Sequence, residues 1–173
     1  MNRKESAVAA VVVFVLAGIL YSAEQMGSGL SYGPVPGATE LYKPGTGPHE
    51  TAFESGVILH DAVRGKDLSL RVTFPVEEGS YPVLLWSHKV GGCRDDYQNL
   101  IKHWASHGYV CIQCDHIDSR LIPEDQRGDN SDWDTRPPDL SFIIDSLGDI
   151  EAFMAGLAGR IDSGKIAAGG HLI

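Results

Sequence analysis

The alternation of apolar and polar residues divides most of the chain into clear elements. Leu68, Leu70, Val72 and Phe74 alternate with Ser69, Arg71 and Thr73. A period of two predicts a half-buried strand. Val57-Ile58-Leu59 predicts a partner strand before it, with Arg64-Gly65-Lys66-Asp67 as the hairpin connection. Val83 to Trp86 is a short unbroken apolar run, as a strand buried on both faces requires. Tyr97, Leu100, Ile101 and Trp104 then recur at helical spacing. Asp95 or Asp96 is the expected N-cap, and Gly108 sits where a helix C-terminal glycine belongs. Tyr109 to Gln113 reads as the next buried strand, completing a βαβ unit with a right-handed crossover. Leu140, Ile143, Ile144, Leu147, Ile150, Phe153, Met154 and Leu157 form a wide apolar stripe, predicting a second helix opened by Asp139. Lys165 to His171 predicts a last short strand.

Three stretches depart from this pattern. Asn2-Arg3-Lys4 precedes an unbroken run of apolar residues and glycine from Ala7 to Leu20. A basic start followed by an apolar run predicts a signal peptide or membrane anchor over residues 1–23. The run is short for a span, which favours a signal, while Tyr21-Ser22-Ala23 is an imperfect cleavage site and leaves an anchor open. Export follows in either case, to a secreted, periplasmic or membrane-anchored location, with attachment through residues 7–23 for the anchored form. Residues 24–55 are dense in Gly and Pro and predict an irregular linker. Asp115 to Pro138 is a long polar stretch, of the kind that forms a lid or a solvated loop.

Composition narrows the function. The chain has 173 residues, 43% of them hydrophobic, enough for one domain with a real core. A net charge of −9 argues against nucleic acid as a partner, since phosphate binding needs clustered Lys and Arg. Three cysteines cannot all pair with one another. Cys111 and Cys114, three apart on a strand, face opposite ways, so free thiols are expected. The same opposition argues against zinc at Cys111-x-x-Cys114-x-His116. The acidic stretch from Asp125 to Asp134 lacks EF-hand ligand spacing. No metal or cofactor is called for.

The chemistry concentrates in Ser87-His88-Lys89-Val90-Gly91-Gly92, a polar glycine turn between a buried strand and a helix. Such a turn can aim backbone N–H groups at a developing oxyanion. Ser87, Ser106, Ser119, Ser131 and Ser141 are present with seven histidines, but none of these serines lies on a Gly-x-Ser-x-Gly elbow. No catalytic nucleophile is therefore assigned.

The order of several short motifs is informative. Ser-His-x-x-Gly-Gly is followed by Arg94-x-x-Tyr97 and by His103-Trp104-Ala105-Ser106-His107-Gly108-Tyr109. Asp115-His116-x-Asp118-Ser119, Arg136-x-x-Asp139-Leu140 and Gly159-Arg160-Ile161-Asp162 come next. Together they resemble the predicted dienelactone hydrolase and platelet-activating-factor acetylhydrolase-like branch of the α/β-hydrolases, over residues 56–171. The resemblance implies a hydrolase of small-molecule esters or lactones, with a Ser-His-Asp triad and an oxyanion N–H at Val90. It also implies Gly-His-Ser-x-Gly after the last strand. This chain has Gly170-His171-Leu172 there, with Ile173 after it, and Lys89 stands where the family usually has Gly. If that position needs positive φ, Lys89 adds about 1 kcal/mol or more of strain. Cys114 stands where the family usually has Pro.

The expectation is an α/β fold with a truncated, mostly parallel sheet of about five strands and two main helices. Residues 56–173 are read as a partial hydrolase domain ending at the nucleophile elbow, its last strand an unpaired edge, inactive alone. The alternatives are a secreted or membrane-tethered binding module and one half of a split hydrolase.

Overall fold

The structure, a computed structural model, describes residues 11–14, 45–129 and 132–171. Its strands are β1 (Val11–Phe14), β2 (Thr51–Asp61), β3 (Lys66–Pro75), β4 (Tyr81–Ser87), β5 (Val110–Cys114) and β6 (Ile161–Gly170). The α-helices are α1 (Gln98–Ser106), α2 (Arg136–Asp145) and α3 (Leu147–Phe153). All six strands form one open sheet in the order β1-β6-β4-β5-β3-β2. Strands β1, β6, β4 and β5 run parallel, while β3 is antiparallel to β5 and β2 antiparallel to β3.

Pleating sends alternate side chains to opposite faces, and both faces are covered. On one face Leu68, Leu70 and Val72 of β3 meet Val83 and Leu85 of β4, Ile143 of α2, and Leu147 and Ile150 of α3. On the other face Trp86 and Cys111 pack against Ile101 and Ala105 of α1. The result is a three-layer α/β/α arrangement. The period-two pattern of β3 is borne out, with Leu68, Leu70, Val72 and Phe74 all buried. So is the opposition of Cys111 and Cys114, which belong to different core clusters and remain free thiols.

Several boundaries differ from expectation. The second helix begins at Arg136, because Pro137 and Pro138 occupy its first turn, where a missing N–H costs nothing. It ends at Asp145, and α3 starts afresh at Leu147. Neither Asp95 nor Asp96 caps α1. Tyr97 holds the N-cap position at φ 63°, with no side-chain cap. The two aspartates are engaged elsewhere: Asp95 with Arg71, and Asp96 with Arg120 and the Cys93 amide.

The largest difference is at the sheet edge. β6 is not an unpaired edge, because β1 lies parallel beside it, from Val11 opposite Ala167 to Phe14 opposite Gly170. Val-Val-Val-Phe is rich in β-formers, and Ala167 to Gly170 offers it a flat row of small residues. The rest of the expected signal or anchor, and residues 24–44 of the linker, lie outside the described residues. Among the described residues no helix is long and apolar enough to cross a membrane. Parallel pairing brings the C-terminal ends of β4, β5 and β6 side by side, so the segments after Ser87, Cys114 and Gly170 converge.

Candidate active site

The turn after β4 is set by two glycines. Gly92 N–H donates to the Lys89 carbonyl at 2.8 Å, and Gly91 has φ 65°. Positive φ at the third position of a four-residue turn defines type II, which favours Gly there. A side chain at Gly92 would meet the Lys89 carbonyl and the Asp96 carboxylate within 3 Å, so Gly92 serves close approach. The residue needing left-handed backbone is thus Gly91 and not Lys89, so the strain expected at Lys89 is absent. A Cβ at Gly91 would meet nothing within 4 Å. Gly91→Ala should therefore cost backbone strain alone, about 1–2 kcal/mol in a denaturant titration. A change under about 0.3 kcal/mol would show that the turn relaxes freely.

The amides of this turn have separate fates. Gly91 N–H donates to Asp118 Oδ2 at 2.9 Å, Cys93 N–H to Asp96 Oδ2 at 3.0 Å, and Arg94 N–H to Asp115 Oδ1 at 2.9 Å. The Lys89 amide faces the Tyr97 hydroxyl. Among the described residues, Val90 N–H alone in the 90–94 segment has no acceptor. This is the amide that the resemblance assigns to the oxyanion.

Behind the turn lies a buried polar network. His88 is 1% exposed. Its Nδ1 donates to the Lys89 carbonyl at 2.7 Å, and its Nε2 accepts the His116 amide at 3.2 Å. That pairing fixes a neutral ring, and burial holds its pKa below the usual histidine range. His116, fully buried, donates from Nδ1 to Asp139 Oδ2 at 2.8 Å and accepts at Nε2 from Ser87 Oγ at 2.9 Å. Burial pushes its pKa down too, outweighing the attraction of Asp139. Asp139 also accepts from Arg64 at 2.7 Å and Lys66 at 2.8 Å. These hydrogen bonds and cations hold its pKa below the usual carboxylate value against the opposing effect of burial.

Ser87, His116 and Asp139 thus stand in the order of a serine-hydrolase relay. The sequence weighed Ser87 only as one serine without an elbow, because its partners lie 29 and 52 residues away. The row is closed: His116 and Asp139 have no exposed surface, and Arg136 Nη1 donates to Ser87 Oγ at 3.1 Å. Its evident role is to fasten the end of β4 to the end of β5, to α2 and to the β2–β3 hairpin.

Of the elbow residues, Gly170 ends β6 opposite Ser87, and His171 N–H donates to the Ser87 carbonyl at 3.1 Å. The His171 ring is hydrogen-bonded to the Tyr97 hydroxyl. Leu172 lies outside the described residues. Tyr97 is the one non-glycine residue with positive φ among those described, and its ring packs edge-on against Trp86 at 5.7 Å. Burial raises its pKa above the usual tyrosine value. No cluster of three His, Cys, Asp or Glu that could hold a metal occurs among the described residues. The expected solvated loop is solvated only in part. Asp115, His116, Asp118 and Ser119 are buried, and their polar atoms serve neighbouring backbone and side chains.

An open α/β/α sheet with a glycine turn at the end of β4 is an α/β-hydrolase fold. One solved structure agrees in fold. A ferulic acid esterase from Streptomyces cinnamoneus superposes with a TM-score of 0.55 at 16% identity, over 70% of this chain and 52% of its own. An acetyl xylan esterase from Paenibacillus sp. R4 gives a TM-score of 0.43 at 20% identity, over 71% of this chain and 46% of its own. The chain spans about half the length of these structures. The chlorophyllase family model matches residues 38–129. That is more than half of the sequence, and the chain belongs to the chlorophyllase family. A comparison with curated proteins finds no match.

Proposed function

We propose that these residues form the oxyanion-hole half of a carboxylic-ester hydrolase and do not turn over esters on their own. The observation that carries this reading is Val90 N–H. Among the described residues it has no acceptor, beside the converging ends of β4 and β6, while the amides that follow it, Gly91 to Arg94, are all engaged. Donors of this kind contribute most when they are preorganised toward the position of the oxyanion. The family and the ferulic acid esterase structure support an ester as the substrate class, and the sequence resemblance adds a lactone. Leu172, following Gly170-His171 where the resembling family carries its nucleophilic Ser, supports inactivity of this chain by itself. Residues 1–23 are proposed to direct export. A chain that carries Val11–Phe14 into a membrane leaves β6 without its β1 neighbour, so the two placements exclude each other.

The purified chain, incubated with p-nitrophenyl butyrate and separately with a fluorophosphonate, is expected to show no turnover above buffer and no serine adduct. Turnover abolished by the fluorophosphonate would overturn the reading. An adduct on Ser87 would then make the Ser87–His116–Asp139 row the nucleophilic centre, the second reading that its geometry favours.

A further inference from the structure

We infer that His103 and His107, at the C-terminal end of α1, form a two-imidazole site for a transition-metal dication of the zinc type. The inference is independent of the ester-hydrolase reading, because these residues precede the start of β5, at the opposite end of the strands from the glycine turn. At about 100° per residue, positions four apart on a helix share one face. His103 and His107 are four apart, on the side roughly opposite to the buried Ile101 and Ala105. Both histidines are half-buried. Their ring centroids lie 4.6 Å apart with the planes at 65°, so the two side chains do meet. Among the described residues the His103 ring has that contact and no hydrogen bond or ion pair, which leaves its nitrogens uncommitted.

The second ring is oriented as a ligand. His107 Nε2 lies 3.0 Å from the Gly45 carbonyl, which can only accept, so Nε2 carries the proton. In the neutral ring Nδ1 then keeps its lone pair. A metal-bound histidine commonly donates its other ring N–H to a backbone carbonyl in this way, which fixes tautomer and ring angle. The carbonyl is itself held in place. Gly47 N–H donates to Ser106 Oγ at 2.8 Å and His49 N–H to the Ser106 carbonyl at 3.1 Å, fastening the 45–49 segment across the end of α1. Zn–N bonds are about 2.0–2.1 Å, so two nitrogens on one ion stand no more than about 4 Å apart. Turning the unbonded His103 ring about its Cβ–Cγ bond brings one of its nitrogens into that range of His107 Nδ1. The partial negative charge at a helix C-terminus favours a cation there. Imidazole nitrogens select zinc, nickel or copper over magnesium and calcium, which take oxygen ligands. With two protein ligands, water completes the coordination, in keeping with the lack of a three-residue cluster among the described residues.

Nitrogen-15 NMR of the full chain, titrated with zinc chloride and in parallel with magnesium chloride, tests the site. Zinc should shift the amides from His103 to Gly108 in a saturating manner and move the His107 Nδ1 signal while Nε2 stays protonated. Magnesium should shift neither. His103→Gln removes a ring with no hydrogen bond and so spares the fold. It should raise the half-saturating zinc concentration at least about tenfold, since even an outer-shell partner of a metal ligand is worth about 10–100-fold. Adding Lys102→His to His103→Gln restores the number of histidines but places the new ring five residues from His107, off its face, and should not restore binding. His60→Gln, on the β2–β3 hairpin, should leave the titration unchanged. Zinc shifts that persist in His103→Gln, that centre on another histidine, or that magnesium reproduces overturn the site, as does the absence of any shift at millimolar zinc.

Discussion

Asp139→Ala is expected to lower folding stability by about 3–5 kcal/mol, the range for removing one partner of a buried ion pair. Asp139 has no exposed surface, and its two oxygens receive Lys66, Arg64 and His116. The two cations come from the β2–β3 hairpin, the imidazole from the residues after β5, and the carboxylate from α2. One side chain therefore joins three parts of the chain that are far apart in sequence. Without it, two cations that are largely withdrawn from water lose their counter-charge, and His116 Nδ1–H loses its acceptor. Asp139→Asn keeps the shape and one acceptor but removes the charge, and should recover only part of the loss. Denaturant titrations of the three proteins measure it. A loss below about 1 kcal/mol in Asp139→Ala would place the site among surface ion pairs, with Lys66 and Arg64 swinging out to solvent.

Acid is expected to weaken the fold from about pH 6.5 downward, well before the carboxylates titrate. His88 and His116 both have folded pKa values below the ordinary 6.5, because burial disfavours the charged ring. As pH falls through 6.5 the unfolded chain takes up protons on these rings and the folded chain does not. Their stabilisation is thus complete above 6.5 and is lost progressively below it. Each such proton contributes a slope of about 1.4 kcal/mol per pH unit, so the two rings together reach about 3. A second loss follows below 3.8, where Asp118 and Asp139, both depressed, are ionised in the folded chain but protonated in the unfolded one. Urea midpoints measured from pH 8 to pH 4 should decline below 6.5, and a flat profile between pH 7.5 and 5 would refute the assignment of neutral buried rings.

The sheet was legible wherever one physical signal dominated. Period two placed β3, the Val83–Trp86 run placed β4, and Gly65 marked the hairpin. The glycine turn was legible too, since a Gly-Gly pair between strand and helix has few other uses. What sequence misplaced was set by tertiary contacts. Asp95 and Asp96 look like caps to a local reading, but arginines on β3 and after β5 claim them. Asp115, His116 and Asp118 look like a solvated loop, because polar residues read as exposed when their partners are invisible. Those partners stand 18 to 23 positions away: Arg136 for Asp118, Asp139 for His116, and the Arg94 amide for Asp115. The spacings Asp115-His116-x-Asp118 and Arg136-x-x-Asp139 marked these residues as motifs, but only the fold shows that they are two halves of one network. β1 was hidden for a different reason. An unbroken apolar run has no period, so it fits a membrane-directed segment and a buried strand equally well.

The three thiols make the chain its own reporter of opening. Cys111 lies under α1, Cys114 on the opposite face, and Cys93 in the turn region after β4, each no more than 1% exposed. Burial raises all three pKa values, so the folded chain presents little thiolate to react. A thiol reagent therefore reads, site by site, how often each layer of the molecule lifts away from the sheet, with no label engineered in.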